Sequence, residues 1–534
     1  MDTRRTFIAI AISFLILVGW NYLSVQMGWI PDRKAEQQVV ENTQTPAATE
    51  TAATLLGDSP APLPAFAPAP GREVVVETPL YRAVFYSSGG ILRDFSLKNF
   101  RSRLGANAPN VQIITPAAAA TAPMGLLVDG APSWSGTSWN VEGNGLALKE
   151  GDSGSLRFVG EVNGMRVVRE FTFLADTYAI KEKTQITSPV ARNLRLAHTF
   201  GTSSLNDSVS EYDKTRIAYL DGSSFKEEDS AKTLKAGIAL KGEFPWAGVM
   251  SNYFLGVISP QDRDVAMRFK LQDDIYRIAV EKSDIVAHAG QPVSLETSYY
   301  IGPKDQDLLN AQSSELGLAI NYGMFSVIAR PLLLVLNFFY KHVGNYGLAI
   351  ILLTIVIKII LWPLSHKSYK SMEQMKKLQP MIQKLKEKYG DDKEAMNRET
   401  MQLYRAYKVN PASGCLPILV QIPVFIGLYQ GLMGFVGLRH APFVVNIPFT
   451  DIIWLADLSA KDPYYITPLV MGGTMFLQQY LTPSAGDPTQ QKIMMLMPVI
   501  FTFMFLNFPS GLVVYWLANN VISIAQQWWQ LRRA

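Results

Sequence analysis

The chain has 534 residues, 48% of them hydrophobic, and a mean hydropathy of +0.09, too apolar for a wholly soluble protein and too polar for one embedded throughout. Its formal net charge of +4 carries no global nucleic-acid signature, so no direct nucleic-acid specificity is expected and every charge argument is local. The one cysteine, Cys415, excludes an internal disulfide framework and a CxxC metal or redox site, and lies too far from the N-terminus to be a lipoprotein anchor.

Residues 1–30 open with Arg4 and Arg5 ahead of an apolar run over 7–23 that ends in Trp20 and Tyr22, side chains suited to a membrane interface. A cleaved signal peptide and a twin-arginine export signal fit the same opening, but no small-x-small cleavage site follows closely. The segment is therefore expected to be an uncleaved transmembrane anchor with its N-terminus in the cytoplasm. Residues 31–70 shift to Ala, Pro, Thr and Gln, a composition that buries too little apolar surface to offset ordering, and read as a disordered linker.

Residues 71–310 carry short alternating or β-branched runs such as REVVVET, YRAVFYS, MRVVREFTF and YRIAVEK, punctuated by Gly, Asn and Asp. The pair Asn163-Gly164 between two runs is a hairpin signal. A β-sandwich outside the inner membrane is predicted. The stretch Gly151-Asp152-Ser153-Gly154-Ser155 is similar to the loop around a chymotrypsin-type nucleophile, yet all five histidines follow Ser153, the reverse of that family's order. It reads as a polar turn. With no HExxH, P-loop or metal-ligand cluster in the sequence, no enzyme, cofactor or metal site is predicted.

Residues 324–340 are apolar but interrupted by Arg330 and Pro331, and 311–346 are expected to hold an interfacial helix on the outer surface. Residues 348–364 form the second predicted span, with Lys358 in its interior. A charge in hydrocarbon costs roughly 2.5 kcal/mol or more, so Lys358 is expected to face protein or water. It lies about six residues, or roughly 9 Å, from the cytoplasmic end of its helix, further than a lysine stem easily snorkels. Thr354 lies four residues earlier on the same face. Residues 365–411 carry eleven basic residues against six acidic ones, a net of +5, which places this predicted helical hairpin in the cytoplasm. Its turn is expected at Gly390-Asp391-Asp392, and Pro380 either kinks the first arm or opens a new helix.

The rest of the chain reads as spans over 416–437, 465–481, 493–508 and 512–529, with an external loop over 439–463 and a polar cytoplasmic loop over 482–491. Gly427 and Gly431 have the GxxxG spacing that permits close helix contact. On the last span Tyr515, Asn519, Ser523 and Gln526 make a polar stripe that pairs naturally with the Lys358 face into a hydrated groove. The count is six spans with both termini inside. No carboxylate lies deep in the spans from 348 onward, which disfavours an ion-coupled transporter. A small-solute or ion transporter is the second reading, and a membrane-tethered periplasmic carbohydrate-binding protein or enzyme is the third.

Over residues 317–533 the motifs Leu378-Gln379-Pro380, Tyr389-Gly390-Asp391-Asp392, Val409-Asn410-Pro411, Gly414-Cys415-Leu416-Pro417, Gln421-Ile422-Pro423, Asp462-Pro463-Tyr464-Tyr465, Gln490-Gln491-Lys492-Ile493-Met494 and Phe508-Pro509-Ser510-Gly511-Leu512 follow in order. By these the chain resembles the bacterial YidC family of membrane protein insertases, and its β domain resembles the large periplasmic domain of Gram-negative members, similar in fold to sugar-binding supersandwich proteins. The resemblance implies an α+β membrane protein: an N-terminal anchor, a periplasmic β-supersandwich, and a five-span insertase core over 347–534. It implies that the protein inserts, folds and assembles nascent inner-membrane proteins in the lipid bilayer, alone or with the Sec translocon. Ribosome contact would fall to the 365–411 hairpin and the 482–491 loop. The implied substrate groove holds Lys358, Thr354, Tyr515 and Trp516, to which the polar stripe adds Asn519 and Ser523, with a lysine at 358 where related members usually carry arginine and a tryptophan at 516 that is often tyrosine. The charge is kept and the bidentate fork is lost.

Overall fold

A computed structural model of the protein describes residues 71–105, 107–134, 139–205, 213–390, 392–407, 409–410, 416–482 and 488–532. The expected anchor and linker, and the motif residues Asp391, Pro411, Gly414 and Cys415, lie outside them.

Alternating sequence becomes layered sheet. From 71 to 303 the chain forms a five-stranded, a nine-stranded and a six-stranded sheet, the sandwich expected from the short β-branched runs. Its principal strands are β1 (Met165–Leu174), β2 (Ala179–Thr187), β3 (Arg192–Ser203), β4 (Phe254–Pro260), β5 (Asp264–Gln272), β6 (Ile275–Ala287) and β7 (Pro292–Pro303). The nine-stranded sheet runs through β4, β7, β2 and β1, and the six-stranded sheet through β5, β6 and β3. Asn163 and Gly164 both take positive φ, 52° and 75°, and join Met165 back to Val162 in the predicted hairpin. Ser153 begins a strand and is exposed, and no histidine among the described residues hydrogen-bonds to it.

Between the layers, Arg169 is fully buried and divides its donors among the Glu182 carboxylate (2.7 Å) and the carbonyls of Gly89 (2.6 Å), Gly90 (3.2 Å) and Met124 (2.6 Å). Tyr299 and Thr184 also donate to Glu182, at 2.9 and 2.7 Å. Burial alone would raise the Glu182 carboxyl, but the Arg169 and His198 charges and the hydrogen bonds from Arg169 and Thr184 reverse that and hold it at about 2. His198, buried beside it, is held below its ordinary value chiefly by burial.

The helical part begins with α1 (Ser326–Val343), whose buried residues Ala329, Leu333 and Leu336 mark one packed stripe while Val327, Leu334 and Phe338 are exposed. Gly344, at φ 66°, ends α1, and the Asn345 side chain caps α2 (Tyr346–Tyr389) by accepting from Leu348 N–H at 3.0 Å. Helix α2 runs for 44 residues, roughly 66 Å at 1.5 Å per residue, and passes through Pro363 and Pro380 without a break. Pro380 therefore does not open a new helix. Then follow α3 (Lys393–Ala406), α4 (Leu416–Met433), α5 (Ile466–Leu481), α6 (Pro488–Phe505) and α7 (Ser510–Leu531). The distal part of α2 and α3 meet through Met375, Leu378 and Val409, with Ile382, Leu403 and Tyr404 against them.

Helices α1, α5 and α7 pack against α4, α6 and α2 around one apolar core continuous with that of the β domain. The GxxxG pair has a definite partner: a Cβ on Gly427 would lie 3.2 Å from Ile328, and one on Gly431 3.3 Å from Leu333, so these glycines let α1 approach α4. The Arg439 guanidinium joins the two parts of the molecule, donating to the carbonyls of Arg101 (2.5 Å) and Ser102 (3.2 Å) and lying 5.3 Å over the Phe254 ring.

Candidate functional site

An apolar stretch with a single lysine becomes the first half of α2, and its partner across the bundle is α7. Lys358 is 8% exposed and its Nζ donates to Ser523 Oγ at 2.7 Å. Ser523 Oγ in turn donates to the Asn519 carbonyl, at 2.7 Å, four residues back along α7. No described carboxylate pairs with Lys358. A cation so placed is solvated by a hydroxyl and not neutralised, and that leaves its field available to an acidic group entering from outside the bundle.

The remaining expected site residues divide. Thr354 is completely buried on the same stripe of α2 and spends its hydroxyl on the Ile350 carbonyl at 2.7 Å, so it contributes a small side chain and no outward donor. Tyr515 and Asn519 are buried on the Ser523 stripe of α7. Trp516 packs elsewhere: its ring stands edge-on to Phe425 at 4.7 Å and lies 5.3 Å from Phe505 and 6.0 Å from Phe501, inside an aromatic cluster of α4 and α6. The geometry thus brings Lys358, Ser523 and Asn519 together, sets Thr354 and Tyr515 beside them, and uses Trp516 to build a wall.

Two features escape a reading of single stripes. Gln421, from the Gln421-Ile422-Pro423 motif of α4, donates to the Asn519 side chain and brings a third helix to the polar cluster. A second polar row on α7, Asn520 and Gln527 at heptad spacing, faces α5 and the far half of α2. Asn520 reaches Met471 O and Thr474 Oγ1 at 3.4 and 3.3 Å, and Gln527 Nε2 donates to Tyr369 Oη at 3.1 Å and Thr482 Oγ1 at 3.0 Å. The seven-residue interval was the available signal.

The opposite ends of the helices are held by Asp462. This residue, 1% exposed, accepts from Trp454 Nε1 (3.0 Å), Tyr464 N (3.0 Å), Thr467 N (2.7 Å) and Thr467 Oγ1 (2.6 Å), and so fixes the entry to α5. Beside it, Ser510 begins α7 with its N–H on Ala460 O at 2.7 Å and its hydroxyl on Asp457 O at 3.0 Å. The motif residues at these positions act as structural fasteners.

Comparison with known proteins agrees with this architecture. Residues 338–534 match the family described as 60Kd inner membrane protein, and residues 73–335 match the YidC periplasmic domain. A membrane protein insertase YidC of Nitratidesulfovibrio vulgaris strain DP4 is 55% identical over the whole of both chains, and one of Oleidesulfovibrio alaskensis is 52% identical over the whole of both. The chain belongs to the YidC family of membrane protein insertases. A crystal structure described as an active YidC insertase with its first transmembrane domain resolved aligns over 92% of this chain and 99% of its own, at 19% identity and a TM-score of 0.36. Within this YidC-family chain, the α1 helix extended to Gly323–Val343 and α2 are both long and apolar enough to cross a membrane.

Proposed function

We propose that this protein inserts and helps to fold nascent inner-membrane proteins, with the Lys358–Ser523–Asn519 cluster as the point that receives an acidic segment of the client. The observation that carries this reading is the buried lysine of α2, whose hydrogen-bond partner among the described residues is the Ser523 hydroxyl. An acidic residue of a client's short external tail would gain a charge-assisted contact there, partway across the hydrocarbon, and the remaining distance to the far side would be shorter by that depth. Gln421 and Ser523 supply the polar groups that would solvate the tail in a water-filled groove, and Trp516 with its aromatic neighbours closes the apolar side.

The membrane arrangement that fits is six spans: the 7–23 anchor, then the apolar half of α2, α4, α5, α6 and α7, with α1 lying along the outer surface. Both termini are then cytoplasmic and the β domain is periplasmic. The far half of α2 and α3, with their basic excess, stand in the cytoplasm as a hairpin that meets the ribosome or nascent chain, and the Sec translocon is an alternative route of client delivery. No catalytic residue is required, because the work is done by solvation and geometry.

The test is reconstitution. Proteoliposomes holding the purified chain, given a single-span client with an acidic external tail, should yield a protease-protected fragment well above that from empty liposomes. Equal protection with and without the protein rejects the reading.

A further inference from the structure

The β domain contains a cleft of about 500 Å³ lined by none of the residues of the Lys358 cluster. It lies between the two larger sheets, lined by β7 of the nine-stranded sheet and by β3, β5 and β6 of the six-stranded one. Strand pairing explains why it exists. Residues Pro292–Thr297 of β7 pair with β2, but β4 joins the other side of β7 only from Thr297 onward, because β4 ends at Pro260 and the chain then crosses to β5. Glu296 still gives its carbonyl to Gln261 N–H at 3.0 Å. By the two-residue alternation of a strand, Ser294 turns its N–H and C=O to that same side, where no described strand follows. Across the cleft, β6 beyond Glu281 pairs with β3 alone, since its register with β5 ends at the pair Ala266–Glu281. Two sheets therefore present open strand edges to one cleft.

The side chains around it are selective. Val293, Leu295 and Ile285 face the interior, where they pack on Leu194, Leu196 and Ile186 and leave an apolar floor. The rim carries Asp262, Asp284 and Glu296 against Lys282, which is already paired to Asp262 at 2.8 Å. An open edge recognises an extended backbone, an apolar floor takes every second side chain, and an acidic rim favours cationic side chains between them. We infer that this cleft binds an extended polypeptide segment, with apolar and basic residues in alternation, as an added strand against residues 292–296 of β7. Main-chain hydrogen bonds would supply most of the attraction and the rim the choice of sequence.

The experiment titrates the intact detergent-solubilised protein into a fluorescently labelled ten-residue peptide of alternating valine and lysine and reads anisotropy. Saturable binding is expected, and N-methylation of the peptide amides should weaken it at least tenfold in one register and little in the other, because only one edge of an added strand meets β7. Ser294→Pro, which removes the cleft-facing N–H while leaving the β2 ladder its donors, should also weaken binding at least tenfold. A glutamate–valine peptide should bind at least tenfold more weakly to the native protein and recover with Asp284→Lys/Glu296→Lys. If Ser294→Pro does not fold, the two N-methyl registers decide alone. Binding that ignores register, or favours the acidic peptide on the native rim, overturns the inference.

Discussion

Replacing Arg169 by methionine removes the cation that lies 2.7 Å from a carboxylate with no exposure of its own, and at the same time takes the donor from the carbonyls of Gly89, Gly90 and Met124. Breaking a buried ion pair from one side costs about 3–5 kcal/mol, and each orphaned acceptor about 1–3 kcal/mol, though these losses overlap and do not add in full. A loss on the order of 4 kcal/mol is expected for the β domain. In a domain of this size that corresponds to a fall of about 10 °C in its melting midpoint. The assay is thermal unfolding of the intact protein in detergent, followed by tryptophan fluorescence, since Trp134 and Trp246 are both buried in this domain. Adding Glu182→Leu to Arg169→Met should restore a substantial part of the loss, because the unpaired charge goes with it. A fall of less than about 2 °C, or a double variant as unstable as the sum of the singles, would show that the Arg169 network does not hold the sheets together.

Three further outcomes follow from the same contacts. Because burial holds His198 below its ordinary value, its contribution to stability is present above the unfolded value near 6.5 and fades as pH falls beneath it, by at most about 1.4 kcal/mol per pH unit. Glu281, raised by burial to about 7, acts in the opposite sense, so the measurement is the difference between native protein and His198→Asn across pH 7.5 to 5.5; a constant difference contradicts the assignment. Asp462→Ala removes an acceptor of four hydrogen bonds at the start of α5, and should lower the midpoint of the helical part clearly more than Asp462→Asn does; equal midpoints for native and alanine forms would refute its role as a fastener. Gly431→Ala should be nearly neutral, since a Cβ there lies 3.3–3.4 Å from the flexible Leu333 side chain, whereas Gly431→Leu should cost about 1–3 kcal/mol by driving α1 from α4, and an unchanged melt for leucine would refute the close approach.

Much of this was written in the sequence. Period-two runs gave the sandwich, Asn163-Gly164 its hairpin, and the lone Lys358 in an apolar run its place in the polar cluster, because each signal is local and survives folding unchanged. Signals that need the third dimension were missed. Trp516 shares a helix with Asn519 and Ser523, yet its size suits the aromatic gap between α4 and α6 better than a polar face. Gln421 reads as part of a motif, but only the crossing of α4 and α7 reveals its contact with Asn519. Pro380 could have ended a helix; at that position the packing of Met375 and Leu378 against α3 outweighs one lost hydrogen bond. The open edge of β7 is likewise invisible in sequence, since it depends on where β4 leaves the sheet.

The groove account is tested most directly by exchanging charge on both sides. Clients with acidic or basic external tails would be presented to proteoliposomes of the native protein and of Lys358→Glu, and protected fragments measured. The account predicts efficient insertion of the acidic tail by the native protein, its loss with Lys358→Glu, and recovery of that variant by the basic tail. Insertion that is the same for all four combinations would contradict the electrostatic role of Lys358.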